Sequence, residues 1–163
     1  MKSPSPRRKL LRLPEYDYSQ IGAYFITVVT QHRANLFGKI VDGEMILSPA
    51  GEALWKWWDE LGKKFSGVNS FEFIAMPNHI HGILIIESGN ASISLGKIVG
   101  WYKSMTTNEY IRGVKRYGWP PFEGRLWQRN YYEHIIRSDF DFDNASSYIQ
   151  TNPDRWETDE EYG

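Results

Sequence analysis

Residues 79–86, HIHGILII, form a run that is almost wholly apolar and rich in β-branched side chains. The run is far shorter than the roughly 18 to 20 apolar residues that cross a membrane. It therefore predicts a buried strand of a folded domain. Residues 71–76, FEFIAM, are also strand-like, and Pro77-Asn78 separates the two segments. They form either one bent strand or two paired strands.

Periodicity and turn residues predict the other elements of the chain. These are a strand at 22–30, a hairpin at 36–47 around Asp42-Gly43, a helix from Ser48-Pro49 to about residue 66, a helix at 93–112, a strand or extended segment within 126–138, and a last helix that Asp139 or Asp141 caps and Pro153 ends. Strands and helices in short alternation, with hairpins, predict an α+β fold. We expect a central antiparallel sheet with helices packed on one face.

The length of 163 residues predicts a single domain over 1–163. A basic, Pro-rich arm at 1–14 precedes it, and an acidic tail at 154–163 follows. Cysteine is absent, which excludes disulfides and thiolate metal sites. With no apolar signal segment in view, we expect a cytoplasmic protein without a membrane partner.

The formal net charge of −1 conceals an uneven distribution, because five of the 20 acidic residues lie in the last ten positions. Basic residues cluster elsewhere, which is compatible with a surface that binds nucleic-acid phosphates. Solvated surface charge remains the alternative explanation. The candidate DNA contacts are Arg7, Arg8, Lys103, Arg129 and Arg137.

His79 and His81 flank a single apolar residue at the head of the predicted strand. Side chains at positions i and i+2 of a strand share a face, so the two imidazoles lie side by side while Ile80 points into the core. Two such nitrogens can bind one divalent ion. A third ligand must then come from elsewhere in the chain.

Tyr148 and Asn152 are four residues apart on the last predicted helix, so they share one helix face. If that face meets the histidine pair, the Asn152 oxygen is a candidate third ligand. The phenol of Tyr148 is then a candidate nucleophile toward a phosphodiester bound at the ion. The alternative is that Tyr148 is a core aromatic and Asn152 a helix cap.

Several segments together resemble one known family. MPNHIHGILII, LGKIVGWYKS, LWQRNYYEHIIR and YIQTNP, with the opening YDYSQIGAYFITVVT, are similar to the REP-associated tyrosine transposases. These belong with the single-tyrosine HUH (His-hydrophobic-His) transposases of single-strand insertion sequences. The resemblance runs from about residue 7 to residue 156.

The resemblance implies a ferredoxin-like, RNA-recognition-motif-like sheet fold and an enzyme that cleaves and rejoins single-stranded DNA at hairpin-forming repeats. It implies a 5′-phosphotyrosine on Tyr148, a free 3′-OH, and Mg²⁺ or Mn²⁺ held by His79, His81 and Asn152. Insertion-sequence members are dimers and some REP-associated ones act as monomers, so a homodimer is one of two expected states.

Alternatives remain at the site and for the function. Tyr131 and Tyr132 are rival nucleophiles, and Glu133 or His134 is a rival ligand or a residue that orients a ligand. One rival function is a nucleic-acid-binding module without catalysis. The other is a metal-dependent hydrolase that uses water, with His79, His81 and His134 around the ion.

Overall fold

A computed structural model describes residues 22–87 and 93–158 of the chain. In these ranges the chain forms six strands and three α-helices. In chain order they are β1 (Gly22–Val29), β2 (Gly38–Val41), β3 (Glu44–Leu47), α1 (Pro49–Lys64), β4 (Val68–Met76), β5 (His79–Ile86), α2 (Leu95–Tyr117), β6 (Tyr132–Ile136) and α3 (Asp139–Thr151). Short 3-10 helices cover Gln31–Arg33 and Asn152–Thr158.

Four strands form the central sheet, in the order β4-β5-β1-β6, and every neighbouring pair is antiparallel. The α+β prediction is therefore confirmed. Of the two alternatives for residues 71–86, the paired strands are correct, because β4 and β5 form a ladder across the Pro77-Asn78 turn.

The predicted hairpin is present as a separate two-stranded ribbon of β2 and β3. Asp42 and Gly43 both have positive φ, at 52° and 77°, in the turn between the two strands. Two consecutive left-handed residues give the turn a twist that matches the paired strands, which is why Asp-Gly is favoured there.

The central sheet is buried on both faces. On one face, Tyr24, Ile26 and Val28 of β1 pack with the buried side chains of α1 and α2. On the other face, Ala23 of β1 packs with Ile149 of α3. The prediction of helices on a single face was wrong, because β1 and β5 are apolar at consecutive positions and so need cover on both sides.

Two helix boundaries differ from the predictions. Ser138, rather than Asp139 or Asp141, caps α3, because its hydroxyl accepts the N–H of Asp141. Asp141 instead accepts the N–H of Arg137. Helix α2 continues beyond residue 112 to Tyr117 and ends at Gly118, whose φ of 75° is the left-handed conformation common at helix ends.

Both ends of the chain extend past the described part. The arm at 1–14, with Arg7 and Arg8, lies outside the described residues, as do positions 159–163 of the acidic tail. Within the described part, none of the helices has the length and apolarity to span a membrane.

Two glycines of α2 provide a matched test of the packing. A Cβ added at Gly113 would overlap the Trp119 indole, whereas one at Gly100 would meet nothing within 4 Å. Replacing glycine by alanine within a helix stabilises it by about 1 kcal/mol when space permits. Overpacking costs about 1–3 kcal/mol.

We therefore expect Gly113→Ala to lower the free energy of unfolding and Gly100→Ala to raise it, in urea denaturation followed by circular dichroism. Equal effects of the two substitutions would contradict the packing of Trp119 on Gly113.

Candidate active site

His79 and His81 lie on the face of β5 that α3 covers, while Ile80 between them packs in the core beneath α1 and α2. Both imidazoles are buried. Their Nε2 atoms are 3.1 Å apart. The i, i+2 spacing therefore brings the two rings to one point, as the alternation of a strand requires.

The other ring nitrogen of each histidine has a polar partner. His79 Nδ1 lies 2.7 Å from Asn78 Oδ1, and His81 Nδ1 lies 2.8 Å from Thr27 Oγ1. Because an amide oxygen only accepts, the His79 Nδ1 that faces it is the donor of this contact, an arrangement that suits a neutral imidazole with Nε2 available to an ion. Thr27 allows the same arrangement for His81, since its hydroxyl can accept.

Asn78 is itself held in place by residues 30–33, which form a turn directly after β1. Its Nδ2 donates to the Arg33 carbonyl at 3.4 Å, and its own carbonyl accepts the backbone N–H of Thr30. Arg33 and His32 both have positive φ, at 53° and 61°, which is uncommon for residues other than glycine. The turn thus directs a carbonyl at the amide that orients His79.

Tyr148 of α3 lies beside the histidine pair. Its ring is edge-on to the His81 ring, with the centroids 5.1 Å apart, and edge-on to Phe25 at 6.0 Å. The Arg155 guanidinium lies over the Tyr148 ring, 4.4 Å from its centroid, and donates to the Tyr148 carbonyl. The tyrosine ring is therefore held between the sheet and the segment that follows α3.

Asn152 is fully buried just after the end of α3. Among the residues that the structure describes, neither its Oδ1 nor its Nδ2 has a hydrogen-bond partner. It lies in the chain between Tyr148, which contacts His81, and Trp156, whose ring stacks on His79 at 6.2 Å. A buried amide without partners costs about 1–3 kcal/mol, so this one calls for a ligand.

These features fit a divalent ion. Two ligands about 2.1 Å from an octahedral ion and at a right angle are roughly 3.0 Å apart, close to the Nε2–Nε2 distance of 3.1 Å. No three His, Asp or Glu side chains gather as a metal site within residues 22–87 and 93–158. An ion on the histidine pair would therefore need another type of third ligand, such as the Asn152 amide oxygen.

The rival residues of strand β6 lie in different positions. His134 pairs with Phe25 and so lies on the α3 face, where burial lowers its pKa, with Asp141 acting to raise it and Arg137 to lower it. Glu133 pairs with Ile26, whose side chain is on the opposite face. Tyr132 is 60% exposed on the outer strand.

The orientation of the ligands is the part that the sequence prediction missed. It assigned that role to Glu133 or His134, whereas Asn78 and Thr27 contact the two Nδ1 atoms. Thr27 is opposite His81 in the β1–β5 ladder, and only the register reveals that pairing. The sequence did contain a signal for the other contact, because Asn78 directly precedes His79.

The candidate DNA contacts differ in their surroundings. Lys103 donates to the carbonyls of Gln128 and Arg129, and burial followed by the charge of Arg125 lowers its pKa. Arg129 is exposed, while Arg137 is half-buried next to α3.

A cavity of about 580 Å³ opens between β1, β6 and α3. His81 and Tyr148 belong to its wall, together with Phe25, His134, Asp141 and Asn144. His81 is thus reached from a space large enough for a small ligand.

Comparisons with known proteins agree on one family. The model of a family described as IS200-like transposases matches residues 21–152. A Haemophilus influenzae protein without a functional name is 35% identical over 167 residues, which cover 95% of this chain and 93% of that protein. A second H. influenzae protein, provisionally named a REP-associated tyrosine transposase, is 23% identical over 84% of this chain and 73% of its own length.

Two solved structures have a similar fold. A REP-associated tyrosine transposase bound to a REP hairpin aligns with a TM-score of 0.60 and 22% identity, over 86% of this chain and 73% of that one. A Deinococcus radiodurans protein, provisionally described as a transposase, aligns with a TM-score of 0.51 and 15% identity, over 85% and 95% of the two chains.

The partnerless amide leads to a stability prediction. We expect Asn152→Leu to raise the free energy of unfolding by about 1 kcal/mol in EDTA, because it removes a buried polar group and keeps a similar volume. Thermal or urea denaturation of the metal-free protein measures this.

Asn78→Leu is the matched control, since Asn78 is equally buried but its amide has partners at both ends. That substitution should lower the free energy of unfolding by about 1–3 kcal/mol. If Asn152→Leu were as destabilising as Asn78→Leu, the Asn152 amide would have a partner in the folded protein.

Proposed function

Since the chain belongs to the family of IS200-like transposases, we propose that it cleaves and rejoins single-stranded DNA at hairpin-forming repeats, with Tyr148 as the nucleophile and a divalent metal ion as cofactor. Family membership supports the role of a DNA-cleaving transposase. The finer mechanism depends on the arrangement of side chains around His79 and His81.

One observation carries the mechanism: two imidazole nitrogens 3.1 Å apart lie beside the ring of Tyr148, and four residues further along the chain a buried amide has no partner among the described residues. A structural role alone does not explain why a core would enclose these polar groups, because each costs free energy to bury. A site for a cation and a phosphodiester explains all of them.

His79, His81 and Asn152 would hold the ion, through two neutral imidazoles and one amide oxygen. Mg²⁺ or Mn²⁺ bound there would polarise a phosphodiester and neutralise the charge that develops on it. Asn78 and Thr27, which contact the two Nδ1 atoms, would accept the Nδ1 protons and so keep each Nε2 free to bind. Trp156 and Phe25 pack on the rings and exclude water from one side of each.

Tyr148 attacks the phosphorus of the scissile phosphodiester. The Oη–P bond forms, the P–O3′ bond breaks, the phenol gives up its proton to solvent, and the O3′ atom takes one to become a free 3′-OH. The 5′-phosphotyrosine keeps the phosphodiester energy, so attack by a 3′-OH reverses the step and rejoins a strand. Arg155 holds the tyrosine ring from its other side.

Two observations support hairpin DNA as the substrate. A solved structure with the same fold contains a transposase bound to a REP hairpin. In addition, the basic residues Arg125 and Arg129 are exposed along the loop before β6. Phosphate contacts of this kind make DNA affinity fall steeply with salt.

The proposal predicts a covalent adduct. Incubated with Mn²⁺ and a single-stranded hairpin oligonucleotide, the protein should give a slower band on a denaturing gel. Tyr148→Phe and His79→Ala should abolish the band, because one removes the attacking oxygen and the other a metal ligand.

Tyr132→Phe is the control, since Tyr132 is the rival nucleophile on β6 and should not be needed for the band. If the band persisted in Tyr148→Phe and disappeared in Tyr132→Phe, the nucleophile would be Tyr132. Cleavage without any adduct would favour the hydrolase, and binding without cleavage would favour the binding module.

A second prediction concerns the residue that orients His81. Thr27→Val keeps the shape of the side chain but removes the oxygen that contacts His81 Nδ1. Loss of such an outer partner lowers metal affinity about 10- to 100-fold. Calorimetric titration with Mn²⁺ measures the change.

Thr27→Ser retains the hydroxyl and should restore most of the affinity. If Thr27→Val bound Mn²⁺ as tightly as the unmodified protein, the hydrogen bond to His81 would have no part in metal binding.

A further inference from the structure

The cavity between β1, β6 and α3 is larger than a phosphate and its metal ion require. Its volume is about 580 Å³, within the range of about 300–1,000 Å³ that is typical of ligand pockets. Since His81 and Tyr148 are part of the wall, a molecule in the cavity would lie directly beside the proposed reaction centre. The rest of this space has no role in the attack of Tyr148 on a phosphodiester.

The charges around the cavity argue against a second phosphate. Among the described residues that line it, there is no lysine or arginine, while Glu133 and Asp141 contribute carboxylates. His134 adds little positive charge at neutral pH, because burial lowers its pKa despite the nearby Asp141. Away from the ion, a second phosphate would be repelled here, so the remaining space does not suit an anion.

The side chains in the wall match the chemistry of a nucleobase. Phe25 and Tyr148 provide aromatic surface, on which an unpaired base can stack. Asp141 and Asn144 provide a hydrogen-bond acceptor and an amide in the wall. Asp141 is oriented by the N–H of Arg137, which its Oδ2 accepts.

We propose that this cavity receives the unstacked base of a nucleotide adjacent to the scissile phosphate. The inference rests on the proposed function, since it places the scissile phosphate at His81 and Tyr148. A base that carries an exocyclic amine suits the site best, because a carboxylate can only accept a hydrogen bond. The cavity would thus contribute to the choice of cleavage position.

The first experiment measures base binding without cleavage. A 2-aminopurine is scanned along the single-stranded flank of a hairpin oligonucleotide, which is bound to the Tyr148→Phe protein. We expect fluorescence quenching at one position of the flank, and weaker quenching there in the Tyr148→Phe, Asn144→Ala double variant. Equal fluorescence at every position would overturn the proposal, whether or not the protein cleaves DNA.

The second experiment uses cleavage and an abasic nucleotide on each side of the scissile phosphate. On one side of the scissile phosphate, the abasic nucleotide removes the base that stacks in the cavity, and KM for that strand should rise on the order of tenfold. The abasic nucleotide on the other side should leave KM unchanged. Asn144→Ala should raise KM for the intact strand but have no further effect on that abasic strand. Asp143→Asn, a neighbouring exposed residue of α3 outside the cavity wall, should have no effect on either strand.

The two proposals fail in different ways. Adduct formation with an unchanged KM on both abasic strands would overturn the base site and leave the nicking mechanism intact. An equal effect of Asn144→Ala on intact and abasic strands would also overturn it. Absence of any adduct would instead contradict the proposed function, while the quenching experiment would still decide whether a base binds.

Discussion

The antiparallel pairing of β1 with β5 determines the geometry of the whole site. It aligns Thr27 with His81 and directs both histidines to one face, while Ile80 and Leu84 enter the core on the other face. A shift of register by one residue would turn both imidazoles into the apolar core beneath α1 and α2. The site is therefore as rigid as the central ladder of the sheet.

The sheet can present polar groups at its centre only because α3 covers that face. Ile149 anchors α3 on Ala23, Ile83 and Ile85, and it directly follows Tyr148 in the chain. This anchor holds the preceding residue, Tyr148, against His81, and the 3-10 helix after α3 brings Trp156 to His79. Packing of Ile149 on the sheet thus positions the proposed nucleophile and encloses the Asn152 amide.

The sequence was sufficient to predict features that depend on local spacing. Two histidines at i and i+2 share a strand face in any sheet, and residues at i and i+4 share a helix face. The Asp42-Gly43 turn and the Ser48-Pro49 helix start are equally local. Features that depend on which strands are neighbours were not predictable, and these include the Thr27–His81 contact and the position of α3 on the second face.

The central claim is that one divalent ion joins the histidine pair to the segment after α3. The most direct test is a crystal structure of the protein with Mn²⁺, in which anomalous scattering locates the ion. The account predicts a peak roughly 2.0–2.3 Å from His79 Nε2, His81 Nε2 and Asn152 Oδ1. A peak bound by His134 instead of Asn152, or no peak at the histidine pair at saturating Mn²⁺, would contradict it.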